Sequence, residues 1–168
     1  MCEAEQGLEE LPERGVYTLI IELHGPLELE VGSLGRIRLE PGFYLYTGSA
    51  LGRGPLGLRG RVKRHLSKAK KIFWHIDYVL VEPGARVVAV VAAGTGERLE
   101  CVVNKALAAR LGAGAPVRGF GSSDCRSGCQ AHLLYTGQEE PTEHVRAAYA
   151  SLGLRPVVLR LTGRWVCL

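Results

Sequence analysis

The sequence predicts one α/β domain of the α+β kind, with a small and mainly antiparallel sheet flanked by helices. Short runs rich in β-branched and aromatic residues alternate with turns built from glycine and proline, as strands do. Two other segments carry apolar residues at the spacing of a helix face. A chain of 168 residues suits one well-buried core and is short for two.

The first part of the chain is expected to form an antiparallel meander and a short helix. Strands are predicted at residues 16–23, 27–31, 37–39 and 43–47. Residues 48–57 contain four glycines and Pro55, which exclude regular structure. A helix over residues 58–69 follows, with one apolar face formed by Leu58, Val62 and Leu66.

The second part alternates strands and helices. Strands are predicted at residues 76–81, 86–93, 133–136 and 156–161. Helices are predicted at residues 97–111, capped by Thr95 or Gly96, and at residues 142–152. The expected organisation is therefore an acidic, flexible tail (1–14), a central domain (15–136) and a C-terminal helix-strand extension packed on the same domain (137–168).

Composition indicates an ordinary globular protein, with 46% hydrophobic and 23% charged residues. No apolar run approaches the roughly 20 residues that cross a bilayer, and a signal-peptide pattern is missing from the N-terminus. We therefore expect a cytoplasmic protein with no membrane partner. The five cysteines are odd in number and sparse, so reduced thiols are the default expectation.

Positive charge is concentrated in residues 44–77, which we call the basic stretch. No acidic residue lies between Pro41 and Ile76. Such a segment is where an anionic partner would bind. The residues expected to contact nucleic acid are Arg53, Arg59, Lys63, Arg64, Lys68, Lys70, Lys71 and Trp74. Trp74 can instead belong to the core, and Asp77 is expected to orient His75 or Lys71.

Several motifs follow one another along the chain in an order that indicates a family. Gly15-Val16-Tyr17 opens the first strand, and Tyr46-Thr47-Gly48 is followed by Ser49-Ala50. Arg61-x-x-Arg64-His65, Trp74-His75-Ile76-Asp77-Tyr78 and a Gly-Phe-Gly-Ser-Ser-Asp-Cys segment (119–125) come next. In this order the chain resembles the GIY-YIG nuclease superfamily, and most closely its Uri-type branch, found largely in archaea. The resemblance covers roughly residues 15–135.

That resemblance implies a divalent-metal-dependent endonuclease that hydrolyses DNA phosphodiester bonds. Tyr17 would act as general base toward water, Arg61 would contact the phosphate, and Tyr46 and His65 would orient water or phosphate. Glu100 would hold Mg²⁺ or Mn²⁺, with Glu97 as a local competitor. Arg59 rivals Arg61 as the catalytic arginine. Arg61, Arg64 and the metal are expected to favour the phenolate of Tyr17, whose ordinary pKa of about 10 makes it a poor base.

Other functions stay open on the sequence alone. The same basic stretch could hold nucleic acid without cleaving it, with RNA as an alternative to DNA, or form a merely solvated face of an interaction domain. Because one active site cuts one strand, cleavage of both strands would require a homodimer or repeated nicking.

The segment from Asp124 to His132 carries candidate soft metal ligands. Cys125, Cys129 and His132 could form a structural zinc site, with Asp124 or His65 as a fourth ligand. A turn with buried thiols is favoured over this zinc site, and a disulfide is a minor alternative.

Overall fold

The computed structural model describes residues 7–121, 129 and 131–161. Its strands are β1 (Gly15–Leu23), β2 (Leu27–Glu30), β3 (Arg36–Leu39), β4 (Gly42–Ala50), β5 (Ala85–Gly94), β6 (Leu133–Gly137) and β7 (Val157–Arg160). Its helices are α1 (Leu58–Leu66), α2 (His75–Leu80), α3 (Glu100–Leu111) and α4 (Thr142–Ser151). Single turns of 3-10 helix occur at Leu8–Glu10, Gly32–Leu34 and Gly54–Leu56.

Five strands form one antiparallel sheet in the order β6-β4-β1-β5-β7, and β2 and β3 form a separate hairpin. The predicted α+β architecture, a small antiparallel sheet flanked by helices, is confirmed. The predicted opening meander is wrong, because β1 pairs with β4 and β5 instead of with β2. The alternating β2 pairs with β3, which places Glu28 opposite Arg38 and Glu30 opposite Arg36.

The predicted strand at residues 76–81 is also wrong, because this segment forms helix α2. Its N-terminus is capped by Asp77, whose Oδ2 accepts hydrogen bonds from the backbone amides of Phe73 and Trp74, each at 2.9 Å. Ile76, Val79 and Leu80 then lie at helical spacing and are buried. The cap therefore outweighs the strand preference of the apolar residues.

β1 is the central strand, and its alternate side chains enter two cores. Tyr17, Leu19 and Ile21 pack with α1 and α2 on one face of the sheet. Val16 and Ile20 pack with α3 and α4 on the other. Both faces of the sheet are therefore covered, and the polar side chains of Tyr17 and Thr18, which point to opposite faces, are both buried.

The described part of the expected acidic tail, residues 7–14, packs on this domain. Leu8 and Leu11 are buried, Leu11 fully. Arg59 fixes the backbone there, since its Nε donates to the carbonyl of Leu11 at 2.8 Å and its Nη2 to that of Glu9 at 3.0 Å. The N-terminal segment thus covers one end of α1. In the described ranges, no helix is long and apolar enough to cross a membrane.

Helix α1 contains a glycine at a point of close contact. A Cβ on Gly60 would lie 2.5 Å from the carbonyl oxygen of Pro55, which is backbone and cannot turn aside. The loop before α1 can therefore pack onto this helix only if position 60 has no side chain.

We predict that Gly60→Ala destabilises the protein by about 1–3 kcal/mol, the usual cost of overpacking. Alanine normally favours a helix over glycine by about 1 kcal/mol, so the contact must reverse the sign. Gly84→Ala is the matched control, because a Cβ there meets nothing within 4 Å. Urea unfolding of both variants measures the difference, and equal or greater stability of Gly60→Ala would contradict the packing argument.

Candidate functional site

The two tyrosine motifs meet at one place because β1 and β4 are adjacent. In the antiparallel register Tyr17 lies opposite Gly48, and Leu19 lies opposite Tyr46. A Cβ on Gly48 would lie 2.7 Å from the hydroxyl oxygen of Tyr17. Glycine at position 48 therefore makes room for the Tyr17 phenol, which is 1% exposed.

Helix α1 adds His65 and Arg61, which are one turn apart on the same side of the helix. His65 is buried, and its Nε2 lies 2.7 Å from the hydroxyl oxygen of Tyr17, in hydrogen-bond contact. The imidazole also lies edge-on to the ring of Tyr46, with centroids 6.0 Å apart. Both tyrosines of the paired motifs therefore contact one histidine.

Arg61 and Glu100 are joined through Ser49. The Nη1 of Arg61 donates to the carbonyl of Ser49 at 3.3 Å, and the Ser49 hydroxyl donates to the carboxylate of Glu100. Glu100 is the first residue of α3 and is half-buried. Glu97, its competitor in the sequence, precedes the helix and is exposed. Of these two acids, Glu100 is the one that accepts a hydrogen bond from Ser49, the residue after the second tyrosine motif.

The two arginines that compete for a catalytic role occupy different places. The guanidinium carbon of Arg61 lies 4.6 Å from the ring centroid of Trp74 and near Tyr17, whereas Arg59 is held by the N-terminal segment. Arg61 is therefore the arginine at this site.

Burial dominates the electrostatics of the site. It raises the pKa of Tyr17 to about 12, although the charges of Arg61 and Arg64 act in the opposite direction. Burial likewise raises the pKa of Tyr46. Arg61 and Arg64 thus favour the phenolate of Tyr17, as expected from the sequence, but burial of the phenol outweighs them. Burial, followed by the charge of Lys70, lowers the pKa of His65 to about 3, so this histidine is neutral at ordinary pH.

A buried carboxylate, Asp77, forms an ion pair with Arg64 next to the site. Asp77 is fully buried and accepts two hydrogen bonds from Arg64, at 3.0 and 2.8 Å. Burial alone would raise the pKa of Asp77, but the bonds from Arg64 and from the two capping amides hold it below its usual value. Arg64 also lies over Trp74, with its guanidinium carbon 4.5 Å from the ring centroid. The pair therefore fixes Trp74, the ring that Arg61 contacts.

Asp77 does not orient His75 or Lys71, the partners expected from the sequence. The Nδ1 of His75 instead accepts a hydrogen bond from the amide of Gly121 at 3.0 Å. Gly121 has a left-handed backbone (φ 72°), and a Cβ on it would lie 2.9 Å from Cε2 of Tyr46. The Gly-Phe-Gly segment is thus packed against the second tyrosine motif.

Three cations of the basic stretch bind inside the protein. Lys68 donates to the carbonyls of Leu80, Glu82 and Ala85 at 2.7–2.8 Å. Lys70 donates to the carbonyls of His65 and Arg64 at 2.7 and 3.2 Å, and burial lowers its pKa to about 8. Lys68 and Lys70 thus satisfy carbonyls at the C-terminal ends of α2 and α1, and Arg59 holds the N-terminal segment. All three side chains stabilise the fold.

Other side chains of the basic stretch lie at the surface. Arg53, Lys63 and Lys71 are exposed. Phe73, which the sequence reasoning did not select, is 78% exposed and stands edge-on to Trp74 with centroids 5.1 Å apart. Its position directly before Trp74 in a basic segment was the available signal. Of the two neighbouring aromatic rings, Phe73 is thus the one more open to solvent.

The structure pairs two cysteines that are far apart in the sequence and were not expected to meet. Asp124 and Cys125 lie outside the described residues. Cys129 forms a disulfide with Cys101, the second residue of α3, and His132 joins them. The expectation of reduced thiols thus does not hold for this pair. The sequence reasoning missed Cys101 because it considered only local spacing, although Cys101 directly follows Glu100.

A family model described as Domain of unknown function DUF123 matches residues 16–154, which include every element that forms the site. The chain belongs to the DUF123 family. Neither the curated proteins nor the solved structures include a match to it. In this DUF123 chain the site residues come from β1, β4, α1 and α3 and are brought together only by the fold.

The buried neutral His65 of this DUF123 protein predicts a defined pH dependence of stability. Its pKa falls from about 6.5 in the unfolded chain to about 3 in the folded one. The folded state therefore loses stability as pH falls below about 6.5, and the loss from this group continues toward pH 3. The contribution of His65 to the slope of the unfolding free energy against pH approaches about 1.4 kcal/mol per pH unit.

Urea unfolding between pH 7 and 5 measures that slope. His65→Gln should show a smaller slope than the unaltered chain, whatever its absolute stability. His144→Gln, which changes an exposed histidine of α4, should leave the slope unchanged. Equal slopes for the unaltered chain and His65→Gln would refute a buried, neutral His65.

Proposed function

We propose that this protein is a divalent-metal-dependent endonuclease of the GIY-YIG type that hydrolyses DNA. The observation that carries the proposal is the convergence of Tyr17, His65, Arg61 and Glu100. These residues come from three separate elements, yet each is linked to the next by a contact or through Ser49. A solvated basic face needs no such convergence of groups from separate elements.

The donor set at Glu100 suits a hard cation. Mg²⁺ typically takes one or two carboxylates and keeps several waters, so a single half-buried carboxylate with a hydroxyl beside it is sufficient. Glu100 would hold the ion, and Ser49 would orient the carboxylate. When bound, the ion supplies positive charge that neutralises the phosphate and the leaving 3′ oxygen.

Arg61 is placed to contact the phosphate. Its guanidinium is held by the Ser49 carbonyl and by Trp74, which leaves donors for an anion. Fixed donors that meet developing negative charge lower the barrier more than mobile ones, since no reorganisation is needed. Trp74, anchored through Asp77 and Arg64, therefore keeps Arg61 in position.

Tyr17 and His65 would handle the proton of the attacking water. The neutral His65 can accept the proton of the Tyr17 hydroxyl on Nε2, while the Tyr17 oxygen takes a proton from the water. The water oxygen then bonds to phosphorus, the bond from phosphorus to the 3′ oxygen breaks, and the leaving oxygen takes a proton from solvent. A phosphate anion bound at Arg61 would favour the imidazolium that this transfer creates.

We predict that the purified protein nicks supercoiled plasmid in Mg²⁺ or Mn²⁺ and that chelation stops it. Tyr17→Phe should lower the rate by at least about 100-fold, the lower range for loss of a proton-transfer group. Glu100→Gln should lower it by at least about as much, because it removes the ligand of the ion. Gel electrophoresis of the nicked and supercoiled forms gives the rate.

Matched controls separate the site from the scaffold. Glu97→Gln removes an exposed carboxylate three residues before Glu100, and Tyr78→Phe removes a phenol outside the site; both should retain the rate of the unaltered chain. Nicking that is equal in all variants would indicate a contaminant and refute the assignment.

Binding of nucleic acid without cleavage is the second candidate function. It is favoured by one observation, the burial of the Tyr17 phenol, which is 1% exposed and therefore has little contact with solvent water. The exposed cations and Phe73 would suffice for such binding, through phosphate contacts and stacking on a base.

A salt titration distinguishes surface cations from internal ones. In Glu100→Gln, with labelled DNA and fluorescence anisotropy, Lys71→Gln should reduce the log–log salt slope by about 0.9, the value for one lost phosphate contact on duplex DNA. Lys68→Gln should leave the slope unchanged, because its ammonium is bound by three carbonyls. Affinity that does not depend on salt would count against both candidate functions.

A further inference from the structure

The sulfur cluster, formed by Cys101, Cys129 and His132, brings together three soft ligand atoms from distant parts of the chain. One ligand atom from each residue lies within 4.8 Å of the other two. A disulfide requires only the two cysteines, yet here the imidazole of His132 also lies beside the two sulfur atoms. Two thiols and an imidazole are the donor types that zinc prefers.

The imidazole of His132 has an unsatisfied nitrogen. His132 is 6% exposed, and its Nε2 has no hydrogen-bond partner among the described residues. A buried polar atom without a partner costs about 1–3 kcal/mol, and structures rarely keep one without a reason. Coordination of a metal ion by the imidazole would give that residue a partner that the described protein atoms do not provide.

The backbone around the cluster is fixed before any ligand binds. The amide of His132 donates to the carbonyl of Phe120 at 2.8 Å, and its carbonyl accepts from the amide of Thr47 at 3.2 Å. The side chain of Asn104 on α3 donates to the carbonyl of Ala131 at 2.7 Å. These bonds hold the segment before β6 against the first turns of α3, which carry Cys101.

We propose that the reduced Cys101 and Cys129, together with His132, bind one zinc ion. The disulfide and the metal site are alternative states of the same two sulfurs, since only thiolates coordinate the ion. Reduction of the disulfide takes two electrons and two protons, and each thiol then releases its proton on binding zinc. Three protein ligands leave one coordination position for solvent or another donor.

The site lies one residue from Glu100, but it differs in kind from the proposed Mg²⁺ site. Glu100 offers hard oxygen and its partner is Ser49, whereas the sulfur cluster offers soft sulfur and nitrogen. Zinc binding would add a second link between α3 and the segment before β6, beside the bond from Asn104 to Ala131. The inference concerns metal binding alone and stands whether or not the protein cleaves DNA.

The test uses the full chain reduced with a phosphine, which supplies the two electrons and is removed before zinc is added. Zinc uptake against a chromophoric chelator should show one ion per chain. Cys101→Ser, Cys129→Ser and His132→Gln should each weaken zinc binding by more than about 100-fold. Loss of a group that only hydrogen-bonds to a metal ligand already costs about 10–100-fold. Cys2→Ser and His144→Gln are the thiol and imidazole controls, and both should bind zinc as the unaltered chain does.

A second measurement covers variants that fail to fold. Cobalt added to the reduced, unaltered chain should give the intense near-ultraviolet absorption of thiolate-to-metal charge transfer, and zinc should displace it. The oxidised chain should show neither zinc uptake nor this band. Absence of the band and of zinc uptake in the reduced chain, or zinc uptake that Cys101→Ser leaves intact, would overturn the proposal.

Discussion

The register between β1 and β4 is the constraint on which the site depends. Because side chains alternate across a strand, the pairing of Tyr17 with Gly48 sends both motif tyrosines to the face covered by α1. It sends the Ser49 hydroxyl to the opposite face, where α3 presents Glu100. A shift of β4 by one residue would place Tyr46 and Ser49 on the wrong faces relative to Tyr17. Ser49 thus connects the two layers at the end of the sheet, since Arg61 reaches its carbonyl from the other side.

Charge counted along the sequence overstated the surface available to an anion. Of the basic stretch, Arg64 is neutralised by Asp77, and Lys68 and Lys70 bind carbonyls at the ends of helices. Such internal cations stabilise backbone groups that α1 and α2 leave unpaired at their C-termini. A basic segment can therefore reflect the needs of short helices as much as those of a ligand, and only side-chain positions separate the two.

Most of the strands and the long helices followed from periodicity, because each buries one or two faces in a regular pattern. The α2 segment did not, since its assignment depends on Asp77 reaching back to two amides, a contact that residue preferences do not encode. The motif order placed Tyr17, His65, Arg61 and Glu100 near one another. It could not give the pKa of Tyr17, which is set by how much of the sheet and of α1 covers the phenol. Nor could it find Cys101, which meets Cys129 only through tertiary packing.

A row of hydroxyls on the face of the sheet away from Tyr17 has a consequence for how the chain folds. Thr18 on β1 bonds to Thr47 on β4 at 2.9 Å and to Tyr149 on α4 at 2.8 Å, and all three side chains are buried. The contact between Thr18 and Tyr149 spans 131 residues of sequence. During synthesis the central strand therefore emerges long before Tyr149, and the hydroxyl of Thr18 gains this partner only after α4 has been made. Contacts between residues so far apart in sequence raise the contact order, which slows folding, and this one depends on a helix near the end of the described chain.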